Sequence, residues 1–493
     1  MQTQRCAMHA FPRFFAWYAR RGQANIVSGG MAAKAVAEQA YKMKRAHMEA
    51  PAASLTHQAR RMLLSASLLT GAPVDSREVA QLLDAATYFG LGNDCTIVRE
   101  GVEWCKTHDR EIETEVMGAI VLSCATLKGD TLADEVISLL GIRSMRNARY
   151  LDARSITTLI AAFSAAGVFK DKLALYLSRR FVTLGKIGEF NCRQMVRIVT
   201  GLSMARYHNY DIRKTIGRRI TFLREQFQVN DLVALVVGIA KMRIKEERII
   251  KKIAGKSVEL AEEMTATHVC TLFQAFSMFG VKYDQLFGVL TNRAVELMDE
   301  FSAKHISLTL ASFQRISISN PELFDNLAER SMAVMAEHDS NDITHIFGAL
   351  VHFEITDEEL LKQLAEQSVA VCDGFAPKQL VKCIYSIGKL NFQHHGFMEA
   401  LGKRVLYSAN IMHAAQLREV LWALAKLNYR ENEKLIRVLM NKAHALHFEF
   451  FRNTDGAEEI EDIFDTFGRD VCPELYDMYL TRDAEAQRSA SDS

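Results

Sequence analysis

Proline is scarce in this chain, 6 in 493 residues, too few to punctuate a series of β-hairpins or to mark interdomain linkers. A dominant charge is missing too. Lys plus Arg number 60 against 59 Asp plus Glu, a formal net charge of +1. No global field therefore points to nucleic acid or membrane, and any case for an anionic partner must rest on where the charges sit. No apolar run reaches the roughly 18 residues needed to cross a bilayer, so a soluble chain without a membrane span is expected. The nine cysteines, Cys95, Cys192, Cys270, Cys372 and Cys383 among them, form no CxxC pair or regular framework. They read as reduced, mostly buried thiols rather than disulfides or zinc ligands.

Motifs for catalysis are also lacking. There is no GxxxxGK[ST] loop, no GxGxxG after a strand, no GxSxG elbow and no HExxH helix. His444 and His447 are three apart but have no acidic or cysteine ligand nearby, so a packing role is expected. His394 and His395 fall where a helix starts, which suits capping. No catalytic residue, metal or cofactor is expected, although groups scattered in sequence and gathered by folding leave no motif.

What is present is 49% apolar content, ample for an extended core. It recurs with a fixed period. Segments beginning at Met195, Leu232, Val269, Ile306, Ile343, Leu380 and Leu417 follow one another at 37 residues without an insertion. Ile156 begins another copy, less regular ones start near Val79 and Val116, and a last is expected around Ile460 to Gly468. Positions 1, 4, 5, 8 and 11 of each copy are mostly apolar, the spacing of one buried helical face. Position 8 is large (Phe163, Leu202, Ile239, Phe276, Phe313, Leu350, Ile387, Leu424). Position 7 is small (Ala162, Gly201, Gly238, Ala275, Ser312, Ala349, Ser386, Ala423), which lets a neighbouring helix approach closely. A second helix follows, opened by Asp171, Asp211, Glu247, Asp284, Glu322 or Glu358, as suits a helix N-terminus. Neither helix can bury its stripe alone. The expected fold is an all-α solenoid, a superhelix of about ten two-helix repeats over residues 46–470. A segment 1–45 precedes it and a polar C-terminal segment 471–493 follows.

Residues Met1 to Ala37 carry Arg5, Arg13, Arg20, Arg21 and Lys34 and no acidic residue before Glu38. With Phe11, Phe14, Phe15 and Tyr18 on one helical side, this start resembles a mitochondrial presequence; a basic surface helix is the alternative. Leu421 to Leu427, LeuTrpAlaLeuAlaLysLeu, resembles the core of octotricopeptide and FAST-kinase/RAP-type repeats, which act on mitochondrial or chloroplast RNA. Armadillo and HEAT arrays satisfy the same apolar spacing. The residues after Phe467 do not match a RAP domain, so the nuclease-like activity of that family is not implied. A presequence-like start before degenerate repeats also resembles helical-repeat subunits of kinetoplastid mitochondrial RNA-editing, guide-RNA-binding complexes. The resemblance implies a matrix protein that scaffolds protein subunits of an RNA-processing assembly, with RNA a candidate partner and DNA not expected. A mitoribosome subunit or assembly factor working through protein contacts alone is the rival reading.

In a solenoid, one residue type repeated at one position forms a surface stripe. The second helix holds a basic residue three after its central apolar one: Arg180, Arg219, Lys256, Arg293, Arg330, Arg404 and Lys442, with Gln367 interrupting. The position projects to the edge of the apolar stripe, where stems lie on apolar surface and charges lift to a rim. Such a column could track phosphates. It could equally be a set of paired or solvated surface groups, with Glu259 and Glu296 in reach of Lys256 and Arg293. A secondary basic column, Lys241, Arg315, Lys389 and Lys426, sits at position 10 of the first helix and should be fully solvated. Phe276, Phe313 and Phe353 fall on core positions. Tyr207, Phe392 and Tyr429, near the turn, are the exposed candidates for base stacking.

Overall fold

The computed structural model describes residues 33–66, 68, 74–127, 129–451 and 457–481. Every element in them is helical, and within each of two compact units hairpins of two helices pack so that helices touch their equivalents in the next hairpin, a helical-repeat solenoid. From Cys192–Met204 onward the first helices start 37 residues apart: Val229–Lys241, Ala266–Phe279, Ala303–Ile316, Ser340–His352, Pro377–Lys389 and Ala414–Lys426. The chain divides into two compact units, Met1–Lys252 and Ile253–Ser493. Helix packing is already under way at Ala33–Glu49, which lies against Ser76–Tyr88, upstream of residue 46. It continues past residue 470, where residues 473–481 are helical and Leu475 is buried. Most of the presequence-like segment, and the tail after Thr481, lie outside the described residues. No helix among the described residues is long and apolar enough to cross a membrane.

Many of the repeats share the same local devices. First helices open with an N-cap side chain and a reciprocating N3 residue: Asn191 with Gln194, Ser302 with His305, Asp339 with Asp342. They end on a left-handed residue at one fixed position: Arg206, Arg243, Gly280, Ser317, Glu354, Asn391 and Asn428. The amide one residue later bonds back to the carbonyl five residues earlier, as in Tyr207 to Leu202 and Ile355 to Leu350, which closes the helix and turns the chain. Second helices are capped by Asn209, Asn320, Asp357, His394 or Asn432. His394 is thus the capping residue the sequence suggests: its Nδ1 accepts from the Phe397 amide at 3.0 Å.

The position-7 and position-8 pairing does what its sizes imply. Phe163, Leu202, Ile239, Phe276 and Phe313 are fully buried. A Cβ on Gly201 would sit 3.1 Å from the Ala161 Cα, and one on Gly238 2.6 Å from Val199 Cγ1, so backbone contact is close there. Phe353 departs from the expectation. It is half-buried and packs its ring 4.6 Å from that of Phe324. Within each unit the first helices pack against one another more extensively than the second helices do. The cysteines among the described residues are free and mostly buried. Burial pushes the thiols of Cys124, Cys270 and Cys383 up to about 12, which keeps them protonated and unreactive.

Candidate nucleic-acid interface

The second-helix basic column has a partner that its sequence did not disclose. Arg180 Nε donates to the Leu151 carbonyl at 2.7 Å and Arg330 Nε to the Phe301 carbonyl at 2.9 Å. Arg293 donates through Nε and a terminal nitrogen to the Met264 carbonyl, both at 3.1 Å. Arg219 reaches the Phe190 carbonyl through a terminal guanidinium nitrogen. The offset is 29 residues in every case. Each acceptor lies just before a first helix, on a residue whose side chain is buried (Leu151, Phe190, Met264, Phe301). Gln367, the interruption, sends its amide to the His338 carbonyl at 3.1 Å across the same 29 residues. What recurs is therefore a side-chain donor that pins the connection leading into its own hairpin.

The remaining members vary on this theme. Arg404 donates to the Asp373 carbonyl at 3.3 Å and lies 3.8 Å from its carboxylate. Lys256 and Arg293 form the expected pairs with Glu259 (3.0 Å) and Glu296 (2.7 Å). Lys442 is half-buried. Arg219 is only 7% exposed, and burial lowers its pKa from the ordinary guanidinium value. The column is thus set into the protein at the foot of each hairpin, and its guanidiniums are engaged by backbone.

The secondary column belongs to a wider surface. Four positions of each first helix face outward, and in the second unit they read Thr267, Thr271, Gln274 and Met278; Lys304, Leu308, Ala311 and Arg315; Asn341, His345, Gly348 and His352; Lys378, Lys382, Tyr385 and Lys389. None is acidic. Lys304, Arg315, Lys378, Lys382 and Lys389 are all exposed. In the first unit the same positions hold exposed Arg154, Arg193, Arg197 and Lys241, with no carboxylate from Ala153–Ala165 onward. The earlier helices Ser76–Tyr88 and Thr114–Thr126 bring Asp84 and Glu115 there, paired with Lys44 and Arg77. Lys241, Arg315, Lys389 and Lys426 are solvent-facing, as position 10 implies. Lys304, Lys378, Lys382, Arg154, Arg193 and Arg197 occupy two other outward positions, where basic residues alternate with Asn230, Thr267, Asn341 and Leu308 and so form no continuous column in the sequence.

This face has a distinct end. Lys389 Nζ lies 4.4 Å from the Trp422 ring and 5.3 Å from that of Tyr385, which holds the ammonium over the aromatic pair. Beyond it the first helix of the last hairpin, Ala457–Val471, brings acids. Trp422 Nε1 donates to Asp462 at 2.9 Å, Tyr385 Oη donates to Glu459 at 3.0 Å, and Lys426 lies 4.0 Å from Asp462. Arg418, itself buried, lies 3.6 Å from Glu459. Burial, reinforced by Glu459, raises the Glu419 pKa. The Trp422 and Tyr385 polar atoms are thus committed to carboxylates, and Trp422 is buried. Tyr207, Phe392 and Tyr429 are half-buried rather than exposed, because each occupies the residue after the left-handed turn, where side chains fold back on the helix end.

Among the described residues no group of three or more His, Cys, Asp or Glu could hold a metal. His447 Nδ1 lies 2.9 Å from the His444 carbonyl, a local contact. A surface depression lined by Lys106, Thr131, Asp134, Glu135, Ser138 and Leu139 has its charged rim closed by a Lys106–Glu135 pair at 2.5 Å.

No curated protein matches this chain. Residues 43–432, well over half of it, match the family of the RNA-editing substrate-binding complex 6 protein. The match begins within the first described helix and runs through the regular 37-residue repeats. This chain, with its donor-pinned hairpins, belongs to the RNA-editing substrate-binding complex 6 protein family.

Proposed function

We propose that the chain is a non-catalytic subunit of a mitochondrial RNA-editing substrate-binding complex, located in the matrix, that holds protein subunits and contacts RNA phosphates. The contact surface in this reading is the outward face of the first helices, not the second-helix column. One observation carries it. In a chain with a net charge of only +1, the outward positions of the first helices from Ala153–Ala165 to Pro377–Lys389 hold exposed lysines and arginines and no carboxylate. Asp84 and Glu115 stand there before that stretch and Glu419 after it. A preformed face of that kind can order a phosphate backbone with little folding cost, and each phosphate neutralised releases counterions. The aromatic side chains near it are packed or hydrogen-bonded, which favours backbone contact over base reading. Family membership supports an editing assembly over a mitoribosomal one.

The test is RNA binding by the purified protein across a salt series. A variant combining Lys304→Ala, Lys378→Ala, Lys382→Ala and Lys389→Ala should bind more weakly. Its log–log salt slope should be shallower by up to about 3, since each single-strand phosphate contact contributes about 0.7. A second variant with Arg293→Gln and Arg330→Gln should keep the wild-type slope. Unchanged affinity and slope in the lysine variant would remove the first-helix face from consideration.

A further inference from the structure

The second unit has another patterned surface, on the edge where each second helix hands over to the next first helix. Short 3-10 turns lie there: Ala261–Glu263, Met298–Glu300, Met335–Glu337, Cys372–Gly374 and Ala409–Ile411. Their last two residues recur at 37-residue steps and are exposed: Glu262 and Glu263, Asp299 and Glu300, Ala336 and Glu337, Asp373 and Gly374, Asn410 and Ile411. The next step falls on His447 and Phe448, in the short helix His447–Phe450. The edge thus begins as a row of carboxylates and ends apolar. Asp373 pairs with Arg404; none of the other five carboxylates forms an ion pair among the described residues.

The apolar end is unusual for a water-facing surface. Tyr407 is 83% exposed, Ile411 73% and Phe448 82%. Tyr407 and Ile411 are four residues apart along one helical path, so they are neighbours. Ile411 and Phe448 hold equivalent positions in successive hairpins, about 10 Å apart at the usual spacing of packed helices. Single exposed apolar residues need no explanation, but three large ones grouped on one edge mark a contact site.

We propose that this edge docks another polypeptide of the assembly, through a segment that sets apolar side chains on Tyr407, Ile411 and Phe448 and basic ones along Glu337, Glu300 and Glu263. The carboxylates decide the class of partner: they repel phosphate and attract Lys and Arg, so the edge complements a basic protein segment and opposes RNA. A second copy fits poorly. The outward first-helix face of this unit supplies lysines, but Met278 is its only exposed large apolar side chain, and that is far fewer than the edge requires. The docking edge and the acid-free face involve different residues, so one subunit could hold protein and RNA at once.

Full-length tagged protein would be purified with its assembly, treated with ribonuclease and cross-linked with a carbodiimide, which joins carboxylates to lysines at zero length. The expected result is cross-links from Glu263, Glu300 or Glu337 to lysines of one other polypeptide. That polypeptide should fall at least tenfold in recovery with the pair Ile411→Asp and Phe448→Asp, and likewise with the pair Glu300→Lys and Glu337→Lys. RNA affinity of the charge-neutral pair Tyr407→Ala and Ile411→Ala should stay within twofold, and thermal melting of the variants should match the wild type, since the substituted residues are exposed. Should an aspartate variant melt early, Tyr407→Ala with Ile411→Ala gives the same readout with a milder change. Unchanged recovery in folded variants overturns the proposal, and so do cross-links only to a second copy or to this chain's own N-terminal segment. Loss of the polypeptide upon ribonuclease treatment alone also overturns it, because RNA and not this edge would then be the link.

Discussion

Arg330→Ala should destabilise the second unit by about 1.5–3 kcal/mol, the usual net worth of a hydrogen bond made by a charged group. The Phe301 carbonyl accepts from Arg330 Nε at 2.9 Å, and the Phe301 side chain below it is fully buried. Removing the guanidinium leaves that carbonyl without its donor and strips the aliphatic stem from the foot of the hairpin. Arg330→Gln should cost about 1 kcal/mol or less, because a neutral bond replaces a charged one. Gln367 already performs this task in the next hairpin, reaching the His338 carbonyl at 3.1 Å. Urea unfolding followed by circular dichroism gives the midpoints, with RNA titration run in parallel at a temperature where every variant is folded. The alanine variant should shift the midpoint and leave the salt slope of RNA binding alone. An unchanged midpoint with a shallower slope would refute the reasoning, since the guanidinium would then be working outward on phosphate.

Two more outcomes follow from single sites. His338 is 1% exposed, and burial lowers its pKa, against smaller opposing effects of Asp342, Ser331, Glu337 and Asp339. The folded state therefore resists a proton that the unfolded chain takes up near pH 6.5, so stability falls as pH drops below that value. His338→Phe, which restores the residue type of Phe301 and Phe375, should flatten the decline by up to about 1.4 kcal/mol per pH unit; thermal melts between pH 7 and 5 would measure it, and an unchanged pH slope would contradict it. Gly388→Ala would place a Cβ 2.9 Å from the Ala423 Cα and 2.8 Å from its Cβ, forcing two first helices apart. A loss of about 1–3 kcal/mol is expected from such overpacking, and a denaturation midpoint equal to or above wild type would show that the contact can relax.

The sequence determined the class of fold and the register of the repeat. A period of 37 residues with apolar positions at 1, 4, 5, 8 and 11 leaves little freedom, because each helix must bury the same stripe against its equivalents. The small residue at position 7 was legible for the same reason: a close helix contact excludes side-chain volume, and Gly201 and Gly238 lie on such contacts. His394 as a cap and the solvent exposure of Lys389 and Lys426 also followed from position alone, being properties of a single helix.

The tertiary structure decided what each stripe is for. Arg180, Arg219, Arg293 and Arg330 form a column visible in the sequence, but their acceptors are backbone carbonyls 29 residues away. A carbonyl is common to all residues and leaves no mark in a sequence, so the column could be seen without its partner. Only the fold sets Glu459 and Asp462 against Tyr385 and Trp422, and so fixes where the acid-free face stops. The exposed edge of Tyr407, Ile411 and Phe448 was hidden for a related reason. Apolar residues in a helical pattern are read as core, and only packed neighbours reveal which of them the core leaves out.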